Sequence, residues 1–468
     1  MTPQGFLDKV RPNGRRTLKK PRIYIDGYNL SLQQGTGVAT YARNLSFALR
    51  DLGAEVGVLY GGQARAVSRN PILREVSFFD APLEGRPRLK DLPRNILRAL
   101  SLPFGEIATR VPVSGHVIRE TLQNRLPHFD HIWNVKGLYD KQRLAAKLTA
   151  GRIPIHFLER PEVMHWTYPL ALRAVGARNI YTLHDLVPLR LPYATLDNKR
   201  VYFRLINHIT KHADHLVTVS EASKKDIMSF FGVPEERITV TYQAVDIPLA
   251  LRNKPMQEVK GEIEGNFDIP FKGYFLYFGA LEPRKNVTRM IEAHLASGVA
   301  EPLVIVGKKT WRRKRDLRAL AQHDRLLSSF DKNAGGGALS RIIQLEYLSF
   351  PLLVSLIRGA KAVLFPSLYE GFGLPALEAM TLGTPVLTSN TSSMPELVGD
   401  AALQVDPYDT QALVEGIRAL AEDEALRGRL AEAGPARAAR FSVENYHARL
   451  SALYGRFVEF PERPDKRP

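Results

Sequence analysis

The feature that most restricts the fold is the alternation of short apolar runs with helical stretches along the 468 residues of the chain. The run RIYID at 22–26 precedes a helical stretch, and VGVLY at 56–60 is the next strand. The second half repeats this rhythm, with AVLFP at 362–366 before a helix and PVLTS at 385–389 after it. Strands separated by helices indicate parallel sheets with right-handed crossovers. The sequence therefore predicts an α/β fold.

Length and one irregular stretch indicate two halves. A single hydrophobic core rarely grows past about 250–300 residues, which is much less than this chain. Residues 246–271 are polar and contain three prolines and two glycines. Such a composition is typical of a linker between domains. We therefore expect two α/β blocks of similar size that meet near this stretch.

Composition excludes several classes of protein. The chain has no cysteine, which excludes a disulfide scaffold, thiol catalysis and zinc bound by cysteine. No apolar run approaches the about 18–20 residues that a membrane helix needs, and the N-terminus lacks the apolar centre of a signal peptide. We expect a cytoplasmic location. The net charge of +17 leaves three anionic partners open, namely nucleic acid, a membrane surface and phosphorylated ligands.

The densest chemical motif is SLYEGFGLPALEAMTLG at 367–383. Glu370 follows a predicted strand, and Glu378 comes after seven further residues, in the expected first turn of a helix. Gly371 and Gly373 let backbone amides approach a ligand, and a helix N-terminus suits a phosphate group. An acidic first turn is also common in ordinary helices. The motif lies at a strand end, where open α/β sheets bind ligands, and this favours a site.

A second motif, FGALEPRKN at 278–286, also follows a strand and precedes a helix. Arg284 and Lys285 would then lie at the ligand-binding edge of a sheet, where they suit a diphosphate. On this pattern alone, solvated surface charge is an equally good explanation of the pair.

With these motifs, residues 272–407 resemble the nucleotide-binding half of the retaining family 4 glycosyltransferases, which have the GT-B fold. The segments FGALEPRKN, LVIVGKKTW, YEGFGLPALEAM, GTPVLTSNTSSMPELVGDAA and VDP carry the resemblance. The chain from 22 to 457 resembles the same plan, and bacterial mannosyltransferases of surface polysaccharides are the subgroup that it is most similar to. The resemblance implies two Rossmann-like domains with a ligand cleft between them.

The resemblance also implies domain boundaries. We predict a basic extension at 1–22, an acceptor domain at 23–247, a nucleotide-sugar domain at 248–440, and a C-terminal helix and tail at 441–468. The last segment is expected to pack back on the N-terminal domain.

The family's motifs assign roles to individual residues. The resemblance implies that Glu370 contacts the donor sugar, that Glu378 holds the ribose, and that Arg284 and Lys285 neutralise the diphosphate leaving group. Many relatives have Arg at the position of Ala280, so this chain depends more on Arg284 and Lys285. The other donor-binding residues that the resemblance implies are Gly35, Gly37, Phe372, Gly373 and Leu374.

His184, in YTLHDLVP, follows a predicted strand. A lone histidine is more often structural, but the family places a histidine here, near the donor sugar. The resemblance therefore adds His184 to Glu370, Arg284 and Lys285 as a catalytic candidate.

We expect no metal and no cofactor. The sequence has no Asp-x-Asp pair, no phosphate-binding G-x-x-x-x-G-K-[ST] and no motif with metal-ligand spacing. Arginine, lysine and helix N-termini would replace a cation. The resemblance implies transfer of a hexose to a saccharide or polyprenyl-linked acceptor, with retention of configuration at the anomeric carbon. Mannose from GDP-mannose is the favoured donor sugar. A UDP- or dTDP-sugar donor, a non-catalytic GT-B scaffold and a basic nucleic-acid binder are the alternatives.

The distribution of charge favours a membrane partner over nucleic acid. Residues 1–22 carry seven basic residues against one aspartate, and 82–126 carry eight basic residues among apolar ones. Elsewhere the basic residues scatter, and no nucleic-acid-binding motif occurs, so we expect no nucleic acid partner. Amphipathic helices in 82–126 would attach the protein peripherally to the anionic inner face of the membrane.

Overall fold

The computed structural model describes residues 19–31, 37–63, 70–80, 105–117, 126–148, 151–307, 341–345 and 348–461. Sixteen strands in these residues form two sheets, one of ten strands and one of six. The first sheet lies in the N-terminal half, up to residue 247, and the second lies in the C-terminal half, from 248 onward. The boundaries predicted for the domains stay a prediction.

The first sheet has the strand order β10-β9-β8-β6-β1-β2-β4-β3-β5-β7. Its strands are β1 Arg22–Asp26, β2 Glu55–Tyr60, β3 Glu106–Val111, β4 His131–Asn134, β5 Ile153–Phe157, β6 Val163–Trp166, β7 Leu172–Ala174, β8 Arg178–Thr182, β9 His215–Thr218 and β10 Ile238–Val240. Neighbouring strands are parallel except for β3 and β4, which are antiparallel.

Strand β3 corrects part of the expectation for 82–126. Residues 106–111 form a strand instead of an amphipathic helix, and only two of these six side chains are buried. Pairing with β4 on one side and β5 on the other satisfies the backbone of this interior strand. Residues 82–104 and 118–125 lie outside the described residues.

The helices of the N-terminal half lie between these strands. They are Gly37–Asp51, Pro71–Asp80, Leu138–Leu148, Val187–Arg190, Lys199–His212 and Glu221–Phe231, with 3-10 turns at Asn29–Ser31, Pro192–Ala194 and Glu235–Arg237. Helix Glu221–Phe231 has a serine before it and a glycine after it, which are the residue types favoured at helix ends. The Ser220 side chain accepts a hydrogen bond from the Ser223 N–H, and Gly232 ends the helix with a φ of 61°.

The second sheet has the strand order β13-β12-β11-β14-β15-β16, and all its pairs are parallel. Its strands are β11 Phe275–Phe278, β12 Leu303–Val306, β13 Ile342–Leu345, β14 Ala362–Phe365, β15 Val386–Ser389 and β16 Leu403–Val405. This is the order of a doubly wound Rossmann sheet. Chain direction across the sheet reverses between β11 and β14, so a crevice opens at their carboxyl ends.

The helices of the C-terminal half lie before, between and after the strands of the second sheet. They are Leu249–Arg252, Met256–Phe267, Val287–Ser297, Phe350–Gly359, Leu374–Thr381, Met394–Val398, Thr410–Glu422, Glu424–Ala438 and Val443–Tyr454, with 3-10 turns at Pro283–Lys285, Gly399–Ala401 and Ala439–Phe441. All four side chains of β11, β12 and β14 are buried, as expected for strands covered on both faces.

The last helix, Val443–Tyr454, contacts the N-terminal half. The Tyr454 hydroxyl forms a hydrogen bond with Nδ1 of His165, and Nε2 of the same ring bonds to Thr182 at 2.7 Å. The His165 ring is completely buried between these two partners. The chain therefore crosses between the halves a second time.

Candidate active site

The candidate site lies at the carboxyl ends of β11 and β14, the two adjacent strands between which the second sheet reverses direction. Arg284 and Lys285 follow β11 in a 3-10 turn, and Glu370 follows β14. The Leu368 N–H donates to the Arg284 carbonyl at 2.8 Å, which ties the two loops together. The strand order therefore brings together two motifs that are far apart in the chain.

Glu370 accepts hydrogen bonds from both predicted phosphate-binding cations. Nη1 of Arg284 lies 2.8 Å from Oε2 of Glu370, and the Lys285 ammonium group donates to Oε1. Arg284 also donates to Glu282 at 2.8 Å. Lys285 and Glu370 are buried, whereas Arg284 keeps some exposure. In this structure, the groups predicted for the diphosphate and for the sugar neutralise each other.

Electrostatics keep Glu370 ionised. Burial alone would raise the pKa of this carboxyl, but the charges of Arg284 and Lys285 lower it to about 2. Burial and the neighbouring Arg284 charge lower the pKa of Lys285. Arg284 and Lys285 together could also bind the negatively charged oxygens of a diphosphate.

The turn between Glu370 and the next helix has no room for side chains at its glycines. A Cβ on Gly371 would lie 2.7 Å from the His184 carbonyl oxygen, and a Cβ on Gly373 would meet Met394 at 2.1 Å. Gly373 has a φ of 116°. Gly371 therefore contacts the N-terminal half directly, and Gly373 packs inside its own half.

Helix Leu374–Thr381 begins one residue before Pro375. Gly373 is its N-cap, and Pro375 is its second residue. Glu378 therefore lies in the second turn, so the expected position in the first turn was wrong. Burial raises the pKa of the Glu378 carboxyl to about 7, and within the described residues it forms no ion pair.

Backbone contacts that the sequence did not indicate fix the Glu370 loop. The Glu370 N–H donates to Oγ of Ser392 at 3.0 Å, and Oγ of Ser393 donates to the carbonyls of Glu370 and Phe372 at 3.0 Å and 2.8 Å. Ser392 and Ser393 belong to the SNTSSMPE segment, where alternating small polar residues are the signal that could have indicated these bonds.

His184 follows β8 and faces the turn at Gly371. Its Nε2 donates to the Thr167 carbonyl at 2.9 Å, and the Tyr41 ring meets it edge-on at 4.8 Å. Burial lowers the pKa of His184 to about 4, so the ring is neutral at pH 7. With the proton on Nε2, the Nδ1 atom is an acceptor for a ligand hydroxyl.

The predicted glycine loop faces the donor segment across the halves. A Cβ on Gly37 would lie 3.9 Å from a methyl group of Leu374. Gly37 begins helix Gly37–Asp51, after β1 of the first sheet. Gly35 lies outside the described residues. The structure thus brings together Gly37, Leu374 and the other described candidates.

Two further contacts join the halves at this site. Glu396 caps a helix of the other half, because its carboxylate accepts hydrogen bonds from the N–H groups of Glu221 and Ala222 at 3.0 Å and 2.9 Å. The Tyr369 hydroxyl, next to Glu370, donates to Asp226. Neither partner is near in sequence, so no local pattern indicated these bonds.

One group of described side chains has spacing that could hold a metal ion, namely Glu55, His131 and Glu159. Arg110 already donates to Glu159 and lies 2.7 Å from His131, which in turn lies 2.6 Å from Glu55. Glu55 and His131 begin their strands, so the group lies at the edge opposite to the candidate site. The arrangement is an ion-pair network. Separately, none of the described helices is long and apolar enough to span a membrane.

Comparison with known proteins places this geometry in a family. The family model Glycosyltransferase Family 4 matches residues 114–248, and Glycosyl transferases group 1 matches residues 337–437. The O-antigen chain mannosyltransferase B of Escherichia coli is 31% identical over 273 residues, which are 57% of this chain and 68% of that protein. The MMP alpha-(1->4)-mannosyltransferase of Mycolicibacterium hassiacum is 27% identical over 93% of this chain and 98% of its own.

The match to the serotype-specific mannosyltransferase WbdA of Escherichia coli, at 26% identity, covers 60% of this chain but only 34% of that protein. Among solved structures, Anabaena HepE in complex with UDP and glucose superposes with a TM-score of 0.59 at 16% identity, over 93% of this chain and 100% of its own.

The fold is that of the GT-B glycosyltransferases. The chain belongs to family 4 of these enzymes, and it is a glycosyltransferase similar to bacterial mannosyltransferases.

Proposed function

We propose that this enzyme transfers a mannosyl group, with retention, from a nucleotide diphosphate sugar to a saccharide or lipid-linked saccharide in surface polysaccharide synthesis. The meeting of Arg284, Lys285 and Glu370 at the reversal point of the second sheet carries the proposal. Relatives named as O-antigen chain mannosyltransferases support mannose and a polysaccharide product. GDP-mannose is therefore the first donor to test.

In the proposed complex, the donor lies across the carboxyl ends of β11 and β14. Glu378 accepts hydrogen bonds from the ribose, and the N–H groups of Phe372, Gly373 and Leu374 meet the sugar and phosphates. The diphosphate displaces Glu370 from Arg284 and Lys285, and the freed carboxylate binds hydroxyls of the sugar. Unpaired N–H groups at the start of helix Leu374–Thr381 add to the positive potential.

Catalysis in this proposal is mainly electrostatic. Charge develops on the diphosphate as the glycosidic bond breaks, and Arg284 and Lys285 are already in place to stabilise it. Neutral His184 accepts a hydrogen bond from a sugar hydroxyl through Nδ1. The leaving phosphate takes the proton of the acceptor hydroxyl on the same face of the sugar, which gives retention without a protein nucleophile. The two cations replace a divalent metal.

A panel of nucleotide sugars tests the proposal. GDP-mannose, UDP-glucose and dTDP-glucose are each added with EDTA, and thermal stability and slow donor hydrolysis are measured. A ligand at about 100 times its Kd stabilises the folded state by about 2.7 kcal/mol. We expect one donor to stabilise the wild-type protein and to be hydrolysed by it. The control Lys254→Gln, which removes a distant ion pair, should behave in the same way. Lys285→Gln should be neither stabilised by a donor nor able to hydrolyse it.

Each alternative has its own outcome in this panel. A UDP-sugar as the single active donor replaces GDP-mannose, an alternative that the HepE complex with UDP and glucose supports. Binding without hydrolysis or transfer to any acceptor indicates the non-catalytic scaffold. Activity that EDTA abolishes contradicts the metal-free mechanism. Binding to nucleic acid alone, with steep salt dependence, revives the remaining alternative.

A peripheral location at an anionic membrane surface is part of the proposal. Helix Pro71–Asp80 buries Glu75 and Phe78, while Ile72, Leu73 and Val76 are 41%, 55% and 46% exposed. An exposed apolar helix face on a protein with a net charge of +17 suits the interface of an anionic bilayer. Cosedimentation with phosphatidylglycerol vesicles tests this location. We expect Leu73→Gln to weaken binding, and equal recovery of both proteins would contradict it.

A further inference from the structure

We propose that Asp226 is a positioning residue for the reaction, which holds the donor-sugar carboxylate Glu370 in place through Tyr369. The inference rests on the proposed function of Glu370. It assigns a role to a residue of the N-terminal half that contacts neither nucleotide nor sugar in the proposed complex.

The Tyr369 side chain crosses from one half of the protein to the other. Its ring packs against Val187, Leu191 and Ala194 of the N-terminal half, and this small cluster is separate from the two main cores. Its hydroxyl donates to Oδ2 of Asp226. Tyr369 is 9% exposed and Asp226 is 5% exposed, so the bond is shielded from water. A shielded hydrogen bond to a charged acceptor is stronger and better defined than an exposed one.

Asp226 itself is held firmly on its helix. Nε of Arg190 lies 2.9 Å from Oδ1 of Asp226, and Nη2 of the same guanidinium donates to that oxygen as well. Arg190 compensates the cost of burying the carboxylate, and Oδ2 stays available for Tyr369. The start of the same helix, Glu221–Phe231, is anchored to the C-terminal half through Glu396. The Asp226 carboxylate, which accepts the Tyr369 hydrogen bond, is therefore held in a defined position.

The anchored tyrosine limits where Glu370 can lie. Glu370 is the next residue, and its own N–H and carbonyl are bound by Ser392 and Ser393. Its backbone is thus held by Asp226 from the N-terminal half and by the two serines from the C-terminal half. Catalytic groups must be held within about 0.5 Å of the productive geometry, and these hydrogen bonds restrain the Glu370 backbone from both halves. A packing role alone needs the Tyr369 ring but not its hydroxyl.

The expected effect is selective. Glu378 lies on helix Leu374–Thr381, and Arg284 and Lys285 pair with the Glu370 carboxylate, so none of these contacts uses the Tyr369 hydroxyl. Loss of the bond should therefore leave the affinity for a nucleoside diphosphate unchanged. It should lower the turnover of the sugar-bearing donor, because the Glu370 carboxylate, once the diphosphate has released it from Arg284 and Lys285, is no longer held against the sugar.

The test compares Tyr369→Phe, Asp226→Asn and Asp226→Ala with wild type in the full-length chain. Calorimetry measures the Kd values of GDP and UDP, and donor hydrolysis with GDP-mannose and UDP-glucose gives kcat and KM. We expect GDP or UDP affinity within twofold of wild type in all variants. The expected kcat falls at least tenfold in Tyr369→Phe and Asp226→Ala with little change in KM, and Asp226→Asn recovers part of it because its amide oxygen still accepts.

Glu235→Gln is the matched control, since it removes the ion pair between the exposed Glu235 and Lys224 of the same helix, and its kcat should equal that of wild type. Unchanged kcat in Tyr369→Phe overturns the inference. An equal loss of diphosphate affinity and turnover in Tyr369→Phe also overturns it. A kcat in Asp226→Asn as low as in Asp226→Ala overturns it as well. If wild type binds neither the nucleotides nor the sugars, the proposed function fails first and the positioning role fails with it.

Discussion

The ammonium group of Lys285 contacts the carboxylate of Glu370, although the two are expected to bind different parts of the donor. Arg284 contacts the same carboxylate, so the site is internally paired before a ligand enters. A diphosphate must compete with Glu370 for both cations. Donor binding and the release of Glu370 towards the sugar are therefore coupled events.

The first prediction follows from this competition. Glu370→Gln should bind the nucleoside diphosphate about tenfold more tightly, since the cations no longer have a charged partner, a gain of about 1.4 kcal/mol. Turnover should fall by a factor of about 100 or more, because the sugar loses its carboxylate. The ligand-free variant should lose about 3 kcal/mol of stability, as buried cations without a partner are costly. Calorimetry and denaturant unfolding measure these changes.

Glu282→Gln provides the comparison for this prediction. Among the described residues the Glu282 carboxylate forms an ion pair with Arg284 and none with Lys285, and it is more exposed than that of Glu370. We expect it to change diphosphate affinity by less than threefold. A Glu370→Gln variant that binds the diphosphate more weakly than wild type would show that no competition exists.

The sequence was sufficient to predict the parts of the site, but not how they pair. Strand β14 occurs at the residues predicted for it, and Arg284, Lys285 and Glu370 each follow a strand as expected. The pairing depends on β11 and β14 being neighbours, although β12 and β13 intervene in the chain. That adjacency depends on how the crossover connections pack across the whole sheet, and no residue pattern near either motif indicates it.

The contacts between the halves were even less predictable. Tyr369 and Asp226 are 143 residues apart, and Glu396 is 175 residues from Glu221. Each is a common polar residue in a helix or turn, where a solvated or capping role explains it equally well. Only the relative placement of the two sheets gives these side chains their partners.

The second prediction concerns the close contact at Gly371. In Gly371→Ala the new methyl group would lie 2.7 Å from the His184 carbonyl oxygen, so the two halves must separate locally. We expect a tenfold or larger fall in kcat/KM for the donor. Gly428→Ala is the matched control, because nothing lies within 4 Å of its Cβ and it occupies a helix. That control should keep its activity and gain up to about 1 kcal/mol of stability. Equal kinetic constants for both variants would contradict a functional role for the contact between Gly371 and His184.

The third prediction uses the carboxyl of Glu378, whose pKa burial raises to about 7. A carboxyl with a raised pKa contributes stability below its unfolded value of about 4.5, and this stability is lost as the pH rises through 7. In wild type, stability should therefore fall by up to about 3 kcal/mol across this window relative to Glu378→Gln. The ionised form accepts from the ribose, so nucleotide affinity should rise over the same window in wild type and stay flat in the variant.

Denaturant unfolding and calorimetry at pH 5, 6, 7 and 8 measure both effects. Glu415→Gln, an exposed change on helix Thr410–Glu422, is the control and should follow wild type. If the stability difference between wild type and Glu378→Gln does not vary with pH, Glu378 titrates normally. If affinity is flat in wild type as well, Glu378 does not hold the nucleotide.

The fourth prediction concerns acid stability. His165 and His294 are completely buried, and burial lowers their pKa values to about 3 and about 4. A histidine with a lowered pKa contributes stability above its unfolded value of about 6.5, and this is lost as the pH falls towards the folded pKa. Lowering the pH from 7 to 5 should therefore cost about 2 kcal/mol for each ring.

His165→Gln tests this directly, because an amide keeps polar contacts near Tyr454 and Thr182 but cannot take up a proton in this range. We expect the variant to be less stable than wild type at pH 7 and to lose about 2 kcal/mol less between pH 7 and 5. His116→Gln, at an exposed position, is the control for the substitution itself, and its stability at pH 7 should equal that of wild type. Identical pH slopes for His165→Gln and wild type would mean that His165 is protonated without unfolding. The contact between the last helix and the N-terminal half would then not depend on a neutral ring.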